Sequence, residues 1–379
     1  MGEKKYTKMN IQKMHRLIAL MLAEFLFCLY LFNYIFADEP AHFNLINANK
    51  MNIDLIGNER VTTLTGDIDF FYNQIEFKSQ NAQIFEKKEI VKLTNEVEII
   101  DDTLKCTAHK AQYFKKKEMI YLQGNAVFTE FHSDNTIRTF KADKITYYRN
   151  KRLVIAKDNI ISYDQREGIT ITGGYARYDI NDGYGFLKYH PVLVHKEDED
   201  TLIISSKEME FFKNYEKLVA TYNVRVNVSN SLTTSRFLIY FNKENKAILL
   251  GEPQFKGENS IASGEELQLY FSERELTEIH IKDNAQIFYS EKQKEIDKKG
   301  DNYLFSDLIK IKIRDRKIKF LQAEGNVQAR YEQEQTEKRD YAKNIIFGDT
   351  LRMFIDEEDR IDNIRANNRI TGNFFFQKK

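Results

Sequence analysis

Few residues in this 379-residue chain have the types and spacing that could do chemistry. His190 and His195 stand five apart around Pro191, which could bring two imidazoles to one metal ion or simply place one histidine in a turn and one in a loop. Asp179-Ile180-Asn181-Asp182-Gly183 has the carboxylate and amide content of a calcium loop. Its glycine comes one residue early and no glutamate closes it, so a turn is expected there. The chain has no Gly-rich phosphate loop followed by Lys-Ser or Lys-Thr, no His-Glu-x-x-His and no Gly-x-Ser-x-Gly elbow. Carboxylates are so numerous that no pair stands out as an acid and its base. Cys28 lies in an apolar run near the start, which leaves Cys106 without an internal partner and expected as a small strand residue. These residues point to no catalytic centre, no metal and no cofactor, and the function has to be sought in the elements themselves.

The element that recurs is an apolar-alternating run, a short polar break and a second alternating run. Leu321 to Tyr331 is the clearest copy, broken at Gly325-Asn326. The same break occurs at Gly124-Asn125, Asp158-Asn159 and Asp283-Asn284, and more loosely at Gly66-Asp67, Asn95-Glu96, Tyr189-His190, Tyr222-Asn223, Gly251-Glu252 and Asn367-Asn368. From Asp67 to Asn368 the second residues of these pairs are spaced by 29, 29, 34, 31, 33, 29, 32, 42 and 42. A period in this range marks a unit that cannot bury its apolar face alone and stacks on its neighbours. About midway in each unit a small residue leads an alternating run to an aromatic, as in Ala111-Gln112-Tyr113-Phe114 and Ala142 to Tyr147. Gly, Asn and Asp suit positive φ at little cost, so the breaks are expected to be tight turns between strands. Each repeat is expected to supply about three strands shared between two sheets.

Composition agrees with strands. The chain has 28 Phe, 21 Tyr, no Trp and only 3 Pro. Its 57 Lys+Arg against 57 Asp+Glu leave no net charge, which argues against a nucleic-acid binder. Residues 1 to 16 are basic, and Leu17 to Phe36 is apolar except for Glu24 and Asn33. Residues 1–37 therefore read as an export segment, either a signal cleaved after Ala37 or a retained membrane anchor over residues 17–36, with a lipoprotein at Cys28 as a minor third option because the small residues of a lipid-attachment site do not precede it. Each fate places residues 38–379 outside the cytoplasm, as one repeat domain. Three charged stretches, His195 to Thr201, Glu291 to Asn302 and Glu332 to Asp340, are expected as solvated loop insertions, the last two accounting for the long steps.

Period-two alternation puts one face of each strand in the dry interior. On that pattern the inward set is Val224, Val226, Val228, Phe237, Ile239, Leu267, Leu269, Ile279, Ile281, Ile309, Ile311, Ile313 and Val327. These residues either pack against one another as core or line an apolar trough left open between sheets.

The windows Ala111 to Phe128, Ala142 to Ile161 and Leu308 to Tyr331 resemble the OstA-like repeat of the lipopolysaccharide-transport proteins, the periplasmic bridge LptA and the N-terminal part of LptD. The resemblance implies an all-β, elongated antiparallel β-jellyroll, a folded-over and open sheet stack of about ten such repeats. It implies an interior that takes the acyl chains of lipopolysaccharide or a lipid A-like lipid, no catalytic residue, and a place in the periplasm during outer-membrane assembly. It also implies LptC-like and LptD-like partners joined through edge strands near Ile53 to Ile56 and Phe374 to Phe376. A retained anchor would suit an LptC-like adaptor. The alternatives left open are a packed β-solenoid scaffold that binds protein or glycan without lipid, and a carbohydrate-active enzyme with carboxylates grouped on one rung.

Overall fold

The computed structural model describes residues 43–377, apart from 198–199, 229–230, 258–259, 273–274, 290–301, 316, 334–340 and 357–360. The export segment and its anchor alternative lie outside the described residues, as does most of the second and third charged stretches. Among the described residues no helix is long and apolar enough to cross a membrane. Two 3₁₀ turns, Lys115–Lys117 and Arg149–Lys151, are the only helical pieces described.

The other described elements are strands of antiparallel sheet, and the long strands pair in succession along the chain. Glu59–Tyr72 pairs with Ile75–Phe85, that with Ile90–Asp101, then Leu104–Phe114, Met119–Phe131, Ile137–Tyr148, Leu153–Asp164 and Ile169–Asp179. The zigzag continues to Lys317–Gln333 and Tyr341–Ile355 near the end. The elongated jellyroll expected from the sequence is therefore present.

The polar breaks are not hairpin turns. Gly66-Asp67, Gly124-Asn125, Tyr222-Asn223 and Gly325-Asn326 each lie in the middle of a continuous strand, with φ of 78° and 44°, 79° and 49°, 61° and 55°, and 76° and 50°. Two consecutive left-handed residues insert extra backbone on one strand of a pair and bend it sharply, as a β-bulge does. The register jumps at these points, for example between Thr65 and Ile68 opposite Asn81 and Ser79. The one continuous 26-stranded sheet is thus folded over at the corners into two facing layers, and the long strands pass from one of these two sheets to the other. The last corner is Asn368-Arg369, one residue later than the spacing suggests. Where Pro191 and Pro253 follow the corner, the missing N–H interrupts the ladder and the bent strand splits in two.

The chain reverses elsewhere, at the strand ends. Counting six split strands as bent ones, the 26 described strands make 20 rungs. A repeat is two bent strands rather than three, and at ~4.8 Å per rung the ladder runs on the order of 90 Å. The described residues of the His195 to Thr201 stretch are strand rather than an inserted loop, because Val192–Glu197 and Asp200–Ser205 pair directly up to Glu197 opposite Asp200.

Side chains clamp the corners from outside. Asn326 Nδ2 donates to Asp307 Oδ2 at 3.0 Å, Asn284 Nδ2 to Glu265 Oε1 at 2.8 Å and Asn159 Nδ2 to Asp143 Oδ2 at 2.9 Å. The corner strand keeps its inward parity across the bend, with Leu122 and Ala126 or Ala220 and Val224 both buried. Its partner steps by three and changes parity, as from Ser235 to Leu238 or Ser306 to Ile309. That shift sets which residues reach the interior.

Candidate functional site

The space between the two sheets differs along the rod. From residue 61 to about 164 it is filled. Phe70, Phe77, Tyr113, Phe128 and Tyr147 are fully buried there, with ring centroids 5.2 Å apart for Phe70–Phe77 and for Phe128–Tyr147. Cys106 is buried in the same packing, and burial pushes its thiol pKa up, which keeps it unreactive while that packing stays closed. Ion pairs seal the mouth opposite the corners. Arg149, at the tip of one sheet, donates through Nε to Asp101 Oδ2 at 2.7 Å and through Nη2 to Oδ1 at 3.0 Å, and Asp101 ends a strand of the other sheet.

Beyond residue 167 the sheets part around a cavity of about 2630 Å³. Ordinary small-molecule sites occupy roughly 300–1,000 Å³, so this one has room for a ligand with several chains. Its walls are mainly apolar and drawn from both sheets, with aromatic rings such as Phe211, Tyr240, Phe255 and Phe271 set among the aliphatic side chains. Charged and amide side chains stand at the strand ends that border it, including Glu167, Asn242, Glu275, Arg314 and Asp315. The result is a dry trough with a polar lip.

Of the residues singled out from the sequence, Val226, Val228, Leu267, Leu269, Ile279, Ile281, Ile311 and Ile313 line the cavity. Val224, Ile309 and Val327 point inward but are fully packed in the core beside the corner. Phe237 and Ile239 do not reach the cavity; their neighbours Leu238 and Tyr240 do, and Phe237 instead packs its ring on Tyr222 at 5.8 Å. Every residue from Phe237 to Phe241 is apolar, so alternation alone could not choose the face, and the three-residue step after Ser235 chose it. Leu193, Ile204, Leu304 and Ile346 also line the wall.

No group of three or more His, Cys, Asp or Glu placed to hold a metal occurs among the described residues. His190 forms part of a corner with φ 57°, while His195 lines the trough. Asp179 Oδ1 accepts N–H hydrogen bonds from Asn181 at 3.1 Å and Asp182 at 3.2 Å, which makes that segment a turn.

The rod ends in edge strands. Lys50–Ile56 pairs with Glu59–Tyr72 and leaves Met51, Ile53, Leu55 and Ile56 exposed. At the other end Thr371–Gln377 pairs with Tyr341–Ile355 and leaves Phe374, Phe375 and Phe376 exposed.

Comparison with known proteins agrees with the repeat reading. Residues 45–153 match the family model described as LptA/(LptD N-terminal domain) LPS transport protein. No curated protein matches the chain. Among solved structures, the chain is similar to that of LptH, the LptA-homologous periplasmic component of the lipopolysaccharide transport device from Pseudomonas aeruginosa. That alignment has 18% identity and a TM-score of 0.26, and it covers 28% of this chain and 75% of that one. The OstA-like resemblance thus rests on a family match over residues 45–153, which spans the N-terminal edge and most of the filled part of the rod.

Proposed function

We propose that this protein is a periplasmic lipopolysaccharide-transport component that carries the acyl chains of lipopolysaccharide, or of a lipid A-like lipid, in the trough between its sheets. The observation that carries this reading is the 2630 Å³ largely apolar cavity with a charged lip, on a chain whose residues 45–153 match the family of LptA and the LptD N-terminal domain. The physical case is direct. Each methylene taken out of water contributes about 0.8 kcal/mol, so a lipid with several acyl chains cannot cross an aqueous space unshielded. The walls would take the chains while the sugars and phosphates stay at the lip in water.

Such a role needs no reactive group, and energy for directed movement would come from another component. The exposed edges Lys50–Ile56 and Thr371–Gln377 suit addition of a strand from another jellyroll, LptC-like at one end and LptD-like at the other. Residues 1–37 would deliver the chain across the inner membrane and, if retained, tether it there.

Native mass spectrometry with lipid extraction, on protein from an envelope-bearing host, tests the reading. Lipopolysaccharide or a lipid A precursor should accompany the parent protein and be lost in Val226→Asp/Ile279→Asp. A lipid-free protein that also takes up no added lipid would indicate a packed scaffold instead.

A further inference from the structure

The filled and hollow parts of the rod meet at a buried polar cluster. Arg138, on one sheet, is 4% exposed and is held by two carboxylates of that same sheet. Its Nε donates to Asp164 Oδ2 at 2.7 Å, and Nη1 lies 3.5 Å from Glu130 Oε2. From there the guanidinium spans the mouth to the other sheet. It donates to the Tyr178 hydroxyl, reaches Asn214 Oδ1 at 3.3 Å, and lies over the rings of Tyr178 and Tyr215 at 4.8 and 5.7 Å. Tyr178 donates back to Glu130 Oε2 at 3.3 Å. Tyr215 also lines the trough, so this cluster is the trough's end wall.

Residues 40 to 76 positions apart in sequence build this one contact between sheets, in a fold whose hydrogen-bonded ladder runs within each sheet. Past it, ion pairs such as Lys282–Glu266 and Lys310–Glu324 join neighbours along one sheet. Behind it sits a pocket of about 30 Å³, lined by Phe140, Ser162 and Ile171 among others, room for a single small molecule of water and no chain. We propose that Arg138, Glu130, Asp164, Tyr178, Asn214 and Tyr215 form a latch across the mouth of the fold that fixes where the lipid trough ends. The trough is then blind toward the N-terminal half, and lipid enters and leaves it through the open lip or the C-terminal end. Releasing the latch lengthens the trough into residues 61 to 164.

This inference rests on the lipid reading only for what fills the trough; the latch itself can be tested without lipid. Tyr178→Phe/Asn214→Ala removes the hydrogen-bond acceptors on the far side of the latch and leaves Arg138 with both carboxylates and both rings. In the full chain carrying Cys28→Ser, two thiols report on the interior, the native Cys106 and one introduced by Ser162→Cys behind the latch. With a maleimide probe, unlatching should speed labelling at position 162 about tenfold, the effect of losing one or two hydrogen bonds to a charged group. Labelling of Cys106, three rungs deeper and behind the separate Arg149–Asp101 pair, should rise less than about threefold by the same hydrogen-bond scale. A core variant, Leu122→Ala, controls for general loosening. No change at position 162, or equal acceleration at both thiols matching that of Leu122→Ala, would overturn the latch. If position 162 responds as expected but native mass spectrometry finds no lipid in either protein, the latch stands and the lipid reading falls.

Discussion

The two halves of the rod share one strand plan and differ in what fills it. Between residues 61 and 164 the inward positions carry Phe70, Phe77, Tyr113, Phe128 and Tyr147, and these rings, with the Arg149–Asp101 pair, close the space between sheets. Beyond residue 167 many inward positions, such as Val226, Leu269, Ile279 and Ile313, are aliphatic, rings such as Phe211, Phe255 and Phe271 are spread along the wall, and the sheets stand apart. The same corner geometry serves a packed sandwich in one place and a trough in the other. What differs is side-chain bulk inside and the presence of pairs across the mouth.

That contrast can be broken by mutation. The largest effect is expected in the filled half, where Phe128→Ala should cost about 3–5 kcal/mol in urea unfolding because the ring leaves a cavity. Ile279→Ala, on a wall already open to solvent, should cost only about 1 kcal/mol. Equal losses at the two sites would show that the trough is packed in solution. Next in size, Val226→Asp/Ile279→Asp should remain folded and lower lipid retention more than about tenfold, since a carboxylate among acyl chains has no partner. Retained lipid with unaltered stoichiometry would place the chains elsewhere.

A smaller effect separates the corners from the strand-end turns. Gly325 has φ 76°, and an added Cβ would come within 2.2 Å of Asp307 Oδ2, the atom that accepts from Asn326. Gly325→Ala should cost about 2 kcal/mol, through left-handed strain and a displaced clamp. Gly57 has φ 65° but open space around it, so Gly57→Ala should cost about 1 kcal/mol from the backbone alone. Thermal melts of the two variants check this, and equal losses would deny the corner clamp any role.

The smallest effect concerns Asp134, in the turn after Phe131 in the filled half. Hydrogen bonds from the Thr136 hydroxyl and N–H, joined by Arg166, hold its carboxyl down to about 2. A depressed carboxylate stabilises the turn above the ordinary value of about 3.9 and loses that contribution as pH falls through the lower one. Carbon-13 titration of the Asp134 carboxyl should give a midpoint near 2, and an ordinary midpoint would remove the turn from the account.

Much of the architecture was legible in the sequence, because a left-handed residue pair demands Gly, Asn or Asp more strictly than a strand demands any one residue. Nine of the ten breaks coincide with left-handed pairs, and the tenth is offset by one. Their meaning was not legible. A left-handed pair that bends a strand and one that reverses it use the same residues, and only the partner across the ladder distinguishes them. The inward face followed from alternation where parity survives the corner, as at Val224 and Val226, and failed at Phe237 and Ile239, where parity changes. The latch left no trace, since Glu130, Arg138, Asp164, Tyr178 and Asn214 meet only after several rungs have stacked.

Site-specific photo-crosslinking in cells tests the central claim most directly. A benzophenone side chain would replace Ile279, on the trough wall, or Ile239, whose strand turns it away from the cavity. The account expects a lipopolysaccharide adduct from position 279 and none from position 239. Adducts of equal yield from both positions, or from position 239 alone, would contradict a lipid path between the sheets.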